Sequence, residues 1–106
     1  MELVTGGAGF IGSHLVDSLV SQGKRVRVLD NFSSGREEFL SHHASTGMVE
    51  IVRGDLLDIE SVMTAMEGVD TVHHMAANPD IRLGISVTDT DLRQGTIATY
   101  NVLESM

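Results

Sequence analysis

The chain has 106 residues, 42% of them hydrophobic, with a formal net charge of −8, mean hydropathy of +0.08 and no cysteine. That composition suits one α/β unit with a real core and excludes a disordered tail or a bilayer span. It also excludes a thiolate metal site, and it argues against nucleic acid as a partner, because binding by bulk charge needs a basic patch.

In chain order, Leu3-Val4 opens as a short strand that runs into Thr5-Gly6-Gly7-Ala8-Gly9-Phe10-Ile11-Gly12. Glycines 6, 9 and 12 are spaced by three where a strand turns sharply into a helix. The first amides of such a helix have no intrahelical partner, and with the positive end of the dipole they seat a phosphate. Read alone, the motif is equally a glycine-rich turn. The helix that follows carries Ile11, Leu15 and Leu19 at helical spacing, with Val16 and Val20 alongside, and stops at Ser21-Gln22-Gly23.

Val26 to Leu29 reads as a buried strand ending at Asp30-Asn31, and Phe32 to Gly35 as a loop. Arg36 to His42 is expected to form a short polar helix, with His42-His43 at its solvated end. Met48 to Val52 is a third strand closing on Gly54-Asp55. Asp58 is a good N-cap for a helix with Ile59, Val62, Met63 and Met66 on one face, ending at Gly68. Val69 to Met75 forms a fourth strand, followed by Ala76-Ala77 and the turn Asn78-Pro79-Asp80. From about Thr88 to Met106 one long helix is expected, with Leu92, Thr96, Thr99, Leu103 and Met106 on one side. Ile97 and Val102 fall off that stripe and point to a second surface. The order βαβαβαβα calls for a Rossmann-like, doubly wound parallel sheet with right-handed crossovers, the whole of 1–106 forming one α/β unit.

Asp30 strengthens the glycine motif. It ends the second strand 18 positions after Gly12, close to the ~20 of a carboxylate that takes ribose hydroxyls, and it repels a 2′-phosphate, so NAD is favoured over NADP. A strand cap is the alternative. Asp55 reads as a turn residue or a ligand, and Ala76-Ala77 as core packing or a close approach for a ligand. Adjacent on a strand, His73 and His74 point to opposite faces, and no metal role is expected for them.

Thr5 to Leu15, then Leu29-Asp30-Asn31-Phe32-Ser33-Ser34-Gly35, Gly54-Asp55-Leu56 and His74-Met75-Ala76-Ala77 resemble the extended short-chain dehydrogenase/reductase family. The Asp-Asn-x-Ser-Ser-Gly loop is most similar to UDP-glucose 4-epimerases, and 76–82 and 98–104 to their archaeal-type branch. The resemblance implies that Gly6, Gly9, Phe10, Ile11 and Gly12 cradle the pyrophosphate of NAD. It implies that Asp30, with Asn31, Ser33, Ser34 and Gly35, surrounds the adenosine ribose. Asp55 and Leu56 would hold the adenine, and Ala76 and Ala77 would lie beneath the pyrophosphate and nicotinamide ribose. It further implies a UDP-sugar as substrate, a homodimer formed through the C-terminal helix and a cytoplasmic setting.

The family's reaction uses a Tyr-x-x-x-Lys pair. Here the only tyrosine is Tyr100, and Glu104 stands where the lysine would be. No catalytic residue is assigned, and the chain is expected to be the cofactor-binding half of an epimerase-like enzyme, inactive alone. A nucleotide-sugar dehydratase or decarboxylase, or a non-catalytic dinucleotide-binding module, remains an alternative. Gly95 occupies the place of an asparagine in the family's helix motif.

Overall fold

The computed structural model describes residues 1–76 and 92–106. Four strands form one parallel sheet in the order β3-β2-β1-β4: β1 Glu2–Thr5, β2 Val26–Asp30, β3 Val49–Arg53 and β4 Thr71–His74. Helix α1 spans Phe10–Ser21 and α2 spans Ile59–Ala65, while α3, Ala98–Ser105, follows a π-helical turn at Leu92–Ile97.

Strand alternation divides the core in two. Val4, Val26 and Val28 point to one face and pack with Val16 and Leu19 of α1 and with Leu40. Leu3 and Leu29 point to the other, against Val62 and Ala65 of α2 and Val102 of α3. Helices therefore cover both faces, which is the doubly wound arrangement that a parallel sheet requires. The ends of the helices follow from local chemistry. Gly23 takes φ +79°, its N–H bonds Val20 O at 2.9 Å, and the Lys24 N–H bonds Leu19 O at 3.1 Å. That is a Schellman stop. Asp58 caps α2 by accepting from the Glu60 N–H and the Ser61 hydroxyl.

The structure differs from the sequence-based expectation in four places. The stretch from Arg36 to His42 is not a helix; it forms two 3-10 turns, Glu37–Phe39 and Ser41–His43, with Leu40 buried between them. Core anchoring of that one apolar side chain overrides a weak helical pattern. In α2, Met63 is 55% exposed and Ala65 takes the inner position, so the apolar stripe is narrower than its spacing suggests. The fourth strand is shorter at both ends, because Val69 closes a turn on Met66 O and Met75 already bends toward Thr5.

Last, the long helix is not uniform: α3 buries Ala98, Asn101 and Val102, and leaves Leu103 (65%) and Met106 (71%) exposed. Packing on α2 and the sheet, where Val102 enters the core, sets that buried face. The expected helix start at Thr88, the Asn78-Pro79-Asp80 turn and Ala77 lie outside the described residues.

Candidate dinucleotide site

The carboxyl ends of β1 and β2 open into a cleft of about 500 Å³ at the N-terminus of α1. The glycine turn makes that approach possible. Gly6 adopts φ +68°, and a Cβ there would stand 2.8 Å from the Ala76 backbone. A Cβ on Gly12 would meet Gly6 O at 2.2 Å, which no rearrangement of a side chain relieves. Gly7, the extra glycine, lies against the Val28 methyl groups, where a Cβ would come within 2.8 Å. The Gly9 N–H bonds Gly6 O at 3.1 Å and tightens the turn. Gly9 caps α1 without a side-chain bond, and no acidic residue occupies the first turn. The helix thus presents its leading amides and dipole to the cleft without internal competition.

Asp30 is fixed from both sides. Oδ2 accepts the Ala8 N–H at 3.0 Å and Oδ1 accepts the Phe32 N–H at 2.8 Å. Each oxygen keeps a lone pair, so a pre-aimed carboxylate remains able to accept from a hydroxyl. The bond to Phe32 holds that residue at φ 59°, the left-handed region that bulky residues rarely occupy. The Arg53 guanidinium lies over its ring, 4.2 Å from the centroid. Gly35 does not line the cleft; it lets the loop return onto the turn, where the Arg36 N–H bonds Ala8 O at 2.9 Å. A Cβ at Gly35 would crowd Ala8 Cβ and Asp30 Oδ2.

Gly6, Gly9, Phe10, Ile11, Gly12, Asp30, Asn31, Ser33, Ser34, Asp55, Leu56 and Ala76 all line the cleft. Ala77 falls outside the described residues. Asp55 Oδ1 accepts the Leu57 N–H at 2.9 Å, so it shapes its turn while standing at the cleft wall. Buried Asn101 of α3 donates to the Leu56 carbonyl at 2.7 Å and braces the same turn. Sequence reasoning missed Leu29, Phe39, Gly54 and Met75 as lining residues. The sequence offers a signal for Phe39, which with Leu40 interrupts a polar stretch, and for Gly54, which adjoins Asp55.

The floor of the cleft rests on a proton-ordered chain. Thr5 Oγ1 lies 2.7 Å from His74 Nδ1 and accepts the Met75 and Ala76 N–H groups at 3.1 and 3.3 Å. Two amides already donate to this hydroxyl, so its one proton goes to Nδ1. His74 Nε2–H then donates to Thr99 Oγ1 at 3.1 Å, and Thr99 donates to the Gly95 carbonyl. Burial pushes the His74 pKa down, in keeping with this neutral tautomer. His73 points to the other face, as its position on the strand requires, and pairs with Glu2 at 3.0 Å. His42 and His43 are not a solvated helix end. His43 is buried, and both rings bond Asp17 Oδ1.

Comparison with known proteins agrees with this geometry. The chain is 46% identical over 74 residues to UDP-glucuronic acid decarboxylase 2 of Arabidopsis thaliana, covering 70% of this chain and 16% of that one. It is 37% identical to a putative UDP-glucose 4-epimerase of Methanocaldococcus jannaschii, covering 100% of this chain and 33% of that protein. The crystal structure of Thermus thermophilus UDP-glucose 4-epimerase in complex with NAD superposes with a TM-score of 0.87 at 36% identity, over 98% of this chain and 32% of that one. The chain thus spans between about a sixth and a third of the length of these relatives. Residues 2–106 match the family described as NAD dependent epimerase/dehydratase. On fold, glycine turn and family match together, this chain belongs to the NAD dependent epimerase/dehydratase family.

Proposed function

We propose that this chain is the NAD-binding portion of a nucleotide-sugar enzyme of the UDP-glucose 4-epimerase type. The observation that carries the reading is the placement of the Asp30 carboxylate, 3.0 Å from the Ala8 amide, in the same cleft as the free helix end of the glycine turn. One group suits ribose hydroxyls and the other suits a pyrophosphate, and both line one cleft. The cradle fits the cofactor because every glycine whose Cβ would obstruct the approach is present. When bound, NAD supplies a hydride acceptor for a sugar carbinol.

This chain's own residues bind and orient. The amides of Phe10, Ile11 and Gly12 face the pyrophosphate, and Asp30 with Asn31, Ser33 and Ser34 surrounds the adenosine ribose. Asp55 and Leu56 border the adenine. Ala76, too small to obstruct, is held in place by Thr5. Gly35 acts by keeping the loop closed. The sugar chemistry needs a general acid–base pair beyond these residues. A UDP-sugar is the substrate of the whole protein in this reading, and its setting is cytoplasmic. A decarboxylase acting on the same class of nucleotide sugar is the second reading, favoured by the 46% identity to the Arabidopsis protein.

The exposed apolar residues Ile97, Tyr100, Leu103 and Met106 support a homodimer through α3. Calorimetric titration with NAD and NADP tests the assignment. NAD should bind one per chain and at least about tenfold tighter than NADP, because a second negative charge near Asp30 costs more than the ~1.4 kcal/mol this represents. Tighter binding of NADP would remove Asp30 from its role.

A further inference from the structure

Away from the cleft, on the outer side of α1, two imidazoles and a carboxylate converge. Asp17 Oδ1 lies 2.6 Å from His43 Nε2 and 2.8 Å from His42 Nε2. The three atoms lie within 4.8 Å of one another, and the rings sit side by side with centroids 4.0 Å apart. We propose that Asp17, His42 and His43 form a binding site for a divalent transition ion of the zinc class, with water as the fourth ligand. Two histidines and one carboxylate are the donor set such ions take, and an ion with one open position keeps a water.

The arrangement needs little change to accept the ion. In a tetrahedral site with bonds near 2.1 Å, neighbouring ligand atoms are about 3.4 Å apart. Each Nε2 therefore withdraws from Oδ1 by about 0.7 Å, within reach of a side-chain adjustment. The Nε2 protons that now point at Oδ1 give way to the metal. In a neutral ring the proton then resides on Nδ1 instead, so no net proton need be lost. His43 is buried at 8% side-chain exposure and gives the site a fixed wall, while His42 at 56% and Asp17 at 43% leave it open to solvent. The net charge of −8 further favours capture of a cation.

A bound ion would tie the Ser41–His43 turn to α1. Phe39, two residues before that turn, lines the cleft, so the clip would also steady one wall of the dinucleotide site.

The test uses the untagged chain in chelator-free buffer. Titration with CoCl2 should give visible d–d bands of a four-coordinate ion saturating at one equivalent. ZnCl2 should bleach those bands and raise the thermal midpoint, and EDTA should return the midpoint to that of the metal-free chain. H42Q, altered at the exposed ligand, should remain folded and lose at least roughly a hundredfold in affinity, as should D17N. H14Q and H73Q should bind as the parent does. Absence of saturable binding to the folded parent would overturn the site, as would binding that survives H42Q and D17N or is lost in H14Q or H73Q.

Discussion

Gly12 and Gly9 belong to one motif, yet the structure asks different things of them. A methyl at Gly12 meets a backbone oxygen at 2.2 Å, whereas at Gly9 the same oxygen is 3.3 Å away. Gly12→Ala should therefore lose about 3 kcal/mol of stability, the upper end of overpacking costs, together with dinucleotide binding. Gly9→Ala should cost under about 1 kcal/mol, with binding weakened at most modestly. Urea unfolding curves of the two variants make the comparison, and equal losses would refute it.

His74 gives a prediction of opposite character. Its folded pKa lies below the unfolded value near 6.5, so between the two the unfolded chain binds more protons. Stability is thus complete above about pH 6.5 and declines as the pH falls through that value and toward the folded pKa. His74→Gln should flatten this decline in urea midpoints compared at about pH 7.5 and about pH 5.5. Glu2 and Asp17 act in a lower window. Burial raises their pKa values, but hydrogen bonds from His73 and Lys24, and from His43 and His42, hold them below 4.5 and 3.8. Their contribution is lost only as the pH falls below those values.

At the scale of elements, what was legible in the sequence is what depends on neighbours along the chain. The strand-to-helix turn, the Gly23 stop, the Asp58 cap and the acid ending β2 are local signals, and each stands where its chemistry places it. Elements set by tertiary contact were less legible. Leu40 draws the Arg36–His42 stretch into two tight turns because the α1 face of the core has room for one more apolar side chain. The buried face of α3 is set by packing on α2 and the sheet, where Val102 enters the core and Leu103 stays exposed, and spacing alone does not choose between the two stripes. Asp17 and His43 meet across 26 positions of chain, with no spacing rule to announce it.

Gly95 lies in that π-helical turn, and a Cβ there meets nothing within 4 Å. Gly95→Ala should consequently stabilise the chain by about 0.5–1 kcal/mol, through reduced backbone freedom in the unfolded state. A fall in the urea midpoint would show that the glycine is required for the turn itself.

For the molecule as a whole, the two-sided core and the cleft are one design. Helices on both faces leave the carboxyl ends of β1 and β2 as the open edge, and the chemistry gathers there. Most of the cleft wall was readable because its residues sit at strand ends and turns, whereas Phe39 reaches it from a stretch placed by tertiary packing. The exposed apolar face of α3 has its own consequence. Tyr100→Glu with Leu103→Glu should convert a self-associating species to a monomer in sedimentation velocity, without altering NAD affinity. A parent chain that already sediments as a monomer would remove that face as an interface.

In the proposed reading the dinucleotide lies across the glycine turn with its adenosine end on Asp30 and Asp55. Backbone amide NMR spectra of the labelled chain, recorded as NAD is added, test it directly. Saturable shifts are expected at Gly6, Gly9 to Gly12, Asp30 to Ser34 and Asp55-Leu56, with Asp70 and Gly47 unmoved. Saturable shifts centred elsewhere, or none in a folded sample, would contradict it.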